Sequence, residues 1–310
     1  MDNKELHVLF SSDDNYAQHL GAAIYSLLVH NSDFEVIQIY VIDNEISDAN
    51  KERLKRISLM FPNSNIFWIP FNELRTKLKL NMAWDISIST YARLFLAELL
   101  PKNIERVLYM DCDMIACDTL MDLWNTDLQD KVLGAVQDNI SDNTKAAVGL
   151  LPQDPYFNAG LLLVNVDAWR KQNIGEACLR FIDRHEGKVI HHDQGVLNGV
   201  LKDKWLKLSV GYNLMTIHYV FNLKQVYTYF GDKSAFYTKT EIEQAKRNPT
   251  ILHYTPSFTS RPWVRGCAHP KMQGYWSAVN NTPWKGAKPE PDLAKWYVKL
   301  INWRYRKLPF

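Results

Sequence analysis

The chain has 310 residues, 46% of them hydrophobic and 23% charged, with a formal net charge of +2. That is ordinary globular composition, long enough for one large α/β domain with a full core. Four scattered cysteines without a CxxC pair exclude a zinc ribbon and a disulfide framework, and no apolar run approaches the ~20 residues needed to cross a bilayer. The opening residues carry no signal-peptide pattern, so cytoplasmic residence with reduced thiols is the expectation. Residues 285–310 hold seven Lys and Arg against two acids, which leaves the body mildly acidic. Basic charge confined to a tail argues against nucleic acid as a partner of the whole surface.

In chain order, Leu6–Ser11 reads as a buried strand, followed by the polar turn Asp13-Asp14-Asn15 and a helix over Ala17–His30. Phe34–Ile42 is a second strand. Ser47 caps a helix that runs to about Met60. Asn65–Pro70 is a third strand, Thr90–Leu100 a helix ended by Pro101, and Arg106–Met110 a short strand running into Asp111-Cys112-Asp113. Asn158-Ala159-Gly160 is expected to open a strand over Leu161–Val164. Asp193 is expected to cap a helix over Gly195–Leu201, and His253 to end a strand begun by Ile251-Leu252.

Strands alternating with helices predict an α/β fold around a mainly parallel sheet, and ligands gather at the carboxyl ends of such strands. Asp13 and the Asp111/Asp113 pair stand at two of those ends. Two carboxylates at i and i+2 repel unless a cation lies between them, and hard oxygen ligands suit Mg²⁺ or Mn²⁺. A solvated acidic turn would give the same pattern. Asp-x-Asp after an apolar strand also opens the haloacid-dehalogenase type of phosphatase, but the Met114-Ile115 that follows departs from that motif.

Five blocks in order decide between them: Phe10-Ser11-Ser12-Asp13-Asp14-Asn15-Tyr16, Ser89-Thr90-Tyr91-Ala92-Arg93, Leu108-Tyr109-Met110-Asp111-Cys112-Asp113, Phe157-Asn158-Ala159-Gly160 and His192-Asp193-Gln194. A sixth, His253-Tyr254 with Arg261-Pro262-Trp263, is partial. With these blocks the chain resembles glycosyltransferase family 8, in particular its bacterial galactosyl- and glucosyltransferases of lipopolysaccharide, capsule and surface-glycan assembly. The resemblance runs from about residue 6 to 264. It implies a GT-A-type nucleotide-sugar-binding domain over residues 1–284, with residues 285–310 left as a basic aromatic extension.

The resemblance implies several roles. Asp111, Asp113 and His253 would hold the metal, an O,O,N set that suits Mn²⁺ better than Ca²⁺, with Mg²⁺ the other candidate. Ser11, Asp13, Asn15 and Tyr16 would contact the uridine of a UDP-sugar. Asp111, Cys112, Asn158, Ala159 and Gly160 would line the donor, and Arg93 would reach its phosphates or sugar. Asp193 would bond sugar hydroxyls and Gln194 would sit beside the anomeric carbon, stabilising charge there. The family retains anomeric configuration. Two departures stand out: Gly195 replaces a frequent Asp, and the end motif has Pro256 for a Gly and Arg261 for a Lys placed two residues earlier. Arg261 is assigned the diphosphate role, which its forked guanidinium suits.

Residues 293–310 read as a basic helix with Lys295, Lys299, Asn302 and Arg306 on one face and Trp and Tyr on the rest, suited to an anionic membrane surface; a terminal helix packed on the domain is the other reading. A non-catalytic nucleotide-sugar or glycan-binding protein on the same fold remains an alternative function. A sugar nucleotidyltransferase would need a Gly-rich basic loop that Ser11–Tyr16 lacks. A self-glucosylating glycogen primer would not carry the bacterial-type blocks with this tail.

Overall fold

A computed structural model of the chain describes residues 4–71, 76–80, 88–231, 236–256, 259–294, 296, 299, 300 and 303. Its centre is a seven-stranded sheet in the order β3-β2-β1-β4-β7-β6-β8. The strands are β1 (Glu5–Asp13), β2 (Val36–Asn44), β3 (Ser64–Pro70), β4 (Arg106–Met110), β6 (Leu133–Asp138), β7 (Tyr156–Asn165) and β8 (Trp205–Lys207). Pairing is parallel from β3 through β4 and between β6 and β8. The β4–β7 and β6–β7 pairs are antiparallel, so the sheet is mixed and mainly parallel, as expected.

Side chains alternate across this sheet, and the alternation builds two cores. Leu6, Val8 and Phe10 of β1, Leu108 and Met110 of β4, and Leu161 and Leu163 of β7 pack on one face, against α1 (Ala17–Val29) and α2 (Asp48–Ser58). Leu9, Val107, Tyr109, Leu162 and Val164 fill the other, with Tyr91, Leu94 and Trp169. Each large apolar side chain fully buried this way contributes about 1.5–3 kcal/mol. Ser47 caps α2 as predicted, its hydroxyl accepting from the Asn50 amide.

A smaller sheet, β5-β10-β9, does the positioning that matters most. Here β5 is Met114–Ala116, β9 Leu214–Met215 and β10 Ile251–His253. Antiparallel pairing aligns His253 with Met114, and the Tyr254 amide donates to the Asp113 carbonyl at 3.0 Å. A residue 140 positions later in sequence is thereby fixed beside the Asp111–Asp113 turn.

Three sequence expectations need correction. The Thr90–Leu100 helix is a 3-10 helix over Ile88–Phe95 followed by one α-turn, Leu96–Leu99. The carbonyls of Ser89 and Thr90 accept from the Ser11 hydroxyl and the Arg93 guanidinium, which ties the segment to the site. Asn158-Ala159-Gly160 lie inside β7 rather than before it, because the strand begins at Tyr156 against Asp138. Asp193 caps nothing: the His192–Val200 helix is entered through His191 in left-handed backbone, with no side-chain cap.

At the C-terminal end, Trp284 packs over Gly21 of α1, and the Glu290 amide and carbonyl bond to Trp263 and Arg265. Most of the 293–310 helix predicted from sequence, including Lys295, Asn302 and Arg306, lies outside the described residues. No described helix is long and apolar enough to cross a membrane.

Candidate active site

Above the carboxyl ends of β1 and β4 lies a cavity of about 490 Å³. It is lined by nine of the residues singled out from sequence: Ser11, Asp13, Asn15, Tyr16, Arg93, Asp111, Cys112, Asp113 and Arg261. Ser12, Ser89, Thr90 and Tyr109 complete the wall. Asp13 accepts from the Tyr16 amide at 3.2 Å and so shapes the turn that presents Asn15 and Tyr16. Asp14 faces away, to the Ser47 amide and Asn50 of α2, both at 2.8 Å. The Cys112 thiol is buried, which raises its pKa, and it points at the Ser11 carbonyl.

Ligand atoms of Asp111, Asp113 and His253 all lie within 4.8 Å of one another. The two oxygens of Asp113 are divided. Oδ1 faces His253 Nε2 at 3.2 Å, and Oδ2 receives Arg261 Nη2 at 3.1 Å. Burial would raise the Asp113 pKa, but His253 and Arg261 outweigh it and hold the carboxyl well below the usual range. Asp111 moves the other way: burial, helped by the charge on Asp113, raises it against the pull of Arg93. Asp111 Oδ1 takes Arg93 at 2.9 Å and the Tyr109 hydroxyl at 3.0 Å, while no protein group among the described residues bonds Oδ2.

His253 is oriented from behind. Its Nδ1 is 2.9 Å from the side-chain oxygen of Asn213, which only accepts, so Nδ1 donates there and Nε2 is the nitrogen that faces Asp113. The Asn213 amide donates to Asn158 Oδ1 at 2.9 Å, and that oxygen also accepts from the Gly160 amide at 3.0 Å. Asn213 is wholly buried. An imidazole nitrogen facing a carboxylate, beside a second carboxylate with an oxygen that no described protein group bonds, is a donor set that fits a divalent cation of intermediate hardness. Gly160 serves the same end, since a Cβ there would stand 2.5 Å from His253 Cε1.

Arg93 is the hub between this group and the rest of the predicted site. It is 4% exposed, not the surface side chain that a helical position would allow. Its guanidinium pairs with Asp111 and with Asp193, each at 2.9 Å, donates to the Ala159 carbonyl and lies 4.5 Å from the centroid of the Tyr109 ring. Burial lowers its pKa, but Asp111 and Asp193 more than offset that, so it stays cationic. Burial, opposed by Arg93, pushes Asp193 up to about 6.

Gln194 is held by both ends of its amide. Oε1 accepts from the Ala159 amide at 3.0 Å and Asn158 at 3.3 Å, and Nε2 donates to Asp138 at 3.3 Å. Asp138, at the end of β6, was not singled out from sequence. Its position after an apolar strand was the signal available, but no neighbouring acid or motif marked it. Asn213 was missed for the same reason. Gly195 has a local cause: His191 and His192 adopt φ of 57° and 55°, and this turn drives the Ile190 carbonyl into the space a Cβ at Gly195 would need.

Arg261 closes the cavity from the far side. It donates to the Tyr16 hydroxyl at 2.8 Å and lies 5.5 Å from the Trp263 ring. Trp263 stacks on His19 at 3.9 Å, and burial lowers that imidazole to about 3, so it is neutral. The cation of the partial end motif thus reaches the Asp113 carboxylate despite its later place in sequence.

An α/β sheet with acidic groups at its strand ends, a carboxylate–carboxylate–imidazole group and an arginine over the same cavity define a glycosyltransferase of the GT-A fold. Solved structures agree. Galactosyltransferase LgtC, determined with donor and acceptor sugar analogues, superposes with a TM-score of 0.74 at 29% identity, covering 90% of this chain and 96% of that one. The model of glycosyl transferase family 8 matches residues 7–267, and the chain belongs to that family. Among curated relatives, general stress protein A of Bacillus subtilis is 30% identical over 284 residues, 90% of this chain and 94% of that protein. The lipopolysaccharide 1,2-glucosyltransferase of Escherichia coli is 26% identical over 296 residues, 92% and 80% of the two chains.

Proposed function

We propose that this glycosyltransferase is a retaining, metal-dependent hexosyltransferase that moves galactose or glucose from a UDP-sugar to a glycan or glycoconjugate acceptor. The observation that carries the reading is the convergence of Asp111, Asp113 and His253 within 4.8 Å beside a cavity that Arg261 closes. Asp111, Asp113 and His253 would hold Mn²⁺ or Mg²⁺, and a bound divalent ion supplies Lewis-acid stabilisation of the leaving diphosphate.

The chain's own groups share the rest of the work. Asp13, Asn15 and Tyr16 bind and orient the uridine, with Ser11 and Cys112 against it. Arg261 gives a forked cation to the diphosphate, its second contact being the Tyr16 hydroxyl. Asp193, held by Arg93, accepts from sugar hydroxyls. Gln194, fixed by Ala159 and Asp138, sets a dipole beside the anomeric carbon, where positive charge develops. An amide is a poor nucleophile, so the attack comes from the acceptor on the face the leaving group vacates, without a stable glycosyl-enzyme.

LgtC and the Escherichia coli glucosyltransferase support hexose transfer by their names. The acceptor is reached on the cytoplasmic side of a membrane, with residues 293–310 resting on the anionic surface. Trp296, Leu300 and Trp303 support this: they are exposed and spaced to share one helical face, and Leu293 just before them is exposed too. The test is UDP release from UDP-galactose and UDP-glucose with Mn²⁺ or EDTA. Metal-dependent release from one donor, lost in Asp113→Asn, establishes the reaction and selects the sugar. Tight UDP–Mn²⁺ binding without release or transfer to any glycan acceptor would instead favour a non-catalytic binding protein.

A further inference from the structure

The segment that leads into the basic extension is fastened to the domain at two points. Trp284 lies over Gly21 of α1, and its ring centroid is 5.7 Å from Arg53 Cζ. Further on, the Glu290 amide donates to the Trp263 carbonyl at 2.7 Å, and the Glu290 carbonyl accepts from the Arg265 amide at 2.9 Å. Val264 and Glu290 thereby form a parallel bridge outside both sheets. With one anchor on α1 and the other on the chain at 263–265, residues 284–290 form a strap.

The strap bears on the wall of the cavity. The Arg261 carbonyl accepts from the Val264 amide at 2.9 Å, so Glu290 clasps a turn that begins at Arg261. The turn belongs to no helix and to neither sheet, and its place depends on what packs against it. The Trp276 indole donates to the Pro262 carbonyl at 3.0 Å. Trp263, 4% exposed, stacks on His19 and lies 5.2 Å from the Tyr275 ring. His19 in turn meets Tyr16 edge-on at 5.0 Å, and the Tyr16 hydroxyl accepts from Arg261. A guanidinium binds a diphosphate well only where its fork is correctly placed, and a shift of about 1 Å is costly.

We propose that Glu290 is a positioning residue for donor binding: its backbone bonds to Trp263 and Arg265 set Arg261 over the diphosphate. The proposal rests on the reading of the cavity as a UDP-sugar site. It deepens that reading by making donor affinity depend on a residue outside the cavity, just before the basic extension.

The test is a double-mutant cycle on the full chain. Glu290→Pro removes the amide donor and keeps the carbonyl. Titration calorimetry gives the affinity for UDP with Mn²⁺ of the wild type, Glu290→Pro, Arg261→Ala and the double variant. Glu290→Pro should weaken binding about fivefold or more in the wild-type background. In the Arg261→Ala background it should change binding by less than about twofold, because the group it positions is gone. Glu290→Gln keeps both backbone bonds and should bind as the wild type does. Equal affinities of wild type and Glu290→Pro, the same loss in both backgrounds, or an equal loss in Glu290→Gln would each overturn the proposal. If Glu290→Pro does not fold, Trp284→Ala releases the other anchor and enters the same cycle, with the same outcomes deciding. A wild type that binds no UDP would sink the transferase reading and this proposal with it, whereas UDP binding indifferent to Glu290 sinks the proposal alone.

Discussion

Asn213 accepts a hydrogen bond from His253 Nδ1 at 2.9 Å, from a position with no exposed surface. The contact decides which nitrogen of His253 faces the site. Asn213→Leu keeps the bulk but removes the acceptor, and it leaves Asn158 Oδ1 without one donor. Loss of such an orienting partner weakens metal binding by about 10–100-fold. Titration calorimetry with Mn²⁺ measures this directly, and an unchanged affinity would mean that Asn213 only fills space.

Arg261 joins Asp113 to Tyr16 and is only partly exposed. Arg261→Ala should raise the KM for the UDP-sugar and lower kcat/KM by at least about tenfold, the scale of one charge-assisted bond of about 1.5–3 kcal/mol. Arg261→Lys should recover only part, because an ammonium cannot reproduce the fork. Steady-state kinetics on the three forms check this. Equal constants for wild type and Arg261→Ala would remove Arg261 from the diphosphate role.

Asp193 is raised to about 6 by burial, against the pull of Arg93. A carboxyl whose folded pKa lies above its unfolded value favours folding when protonated. That contribution is complete below about pH 4 and is lost as pH rises through 6. Activity runs the opposite way if the ionised carboxylate is the working form: kcat should fall as pH drops below about 6. In Asp193→Asn that limb should be absent, on a lower plateau. A pH–rate profile of both proteins settles the matter.

Gly160 faces the His253 ring so closely that a methyl group has no room. Gly160→Ala should push the imidazole away and reduce Mn²⁺ affinity more than it reduces thermal stability. Calorimetric titration and thermal melting of the same preparation separate the two. A large fall in Tm with normal Mn²⁺ binding would show that the methyl is accommodated elsewhere.

Leu293, Trp296, Leu300 and Trp303 expose 87%, 75%, 53% and 50% of their surface, a large apolar display for a terminal segment. Replacing Trp296 and Trp303 with Ser should lower binding to vesicles containing anionic lipid. The remaining binding should fall with added salt, and UDP release should not change. Wild-type protein that ignores such vesicles at low salt would rule out the membrane role.

Much of the site was legible in the chain because its parts are short and local. Asp13, Asn15 and Tyr16 follow a strand, Asp111 and Asp113 follow another, and each set carries its own turn. The cation of the end motif was traced to Arg261 although its spacing differed, and that side chain does reach Asp113. Arg93 shows where local reasoning stops. Its helical spacing fits a surface pair, yet it is buried between Asp111 and Asp193, which are 82 positions apart. Asp138 and Asn213 carry no local signature, since their partners come from β7, β10 and the His192–Val200 helix.

The sequence by itself determined β1 to β4, the helices α1 and α2 between them, the mainly parallel character of the sheet, and the acidic groups at its strand ends. Those follow from periodicity, caps and side-chain chemistry within a few residues. Only the tertiary structure decided which nitrogen of His253 faces Asp113 and that Arg93 links the two halves of the site. Both depend on bringing distant segments together, above all β10 against β5, whereas Gly195 answers to its own neighbours, a left-handed turn at His191 and His192 that drives a carbonyl into the place of a side chain.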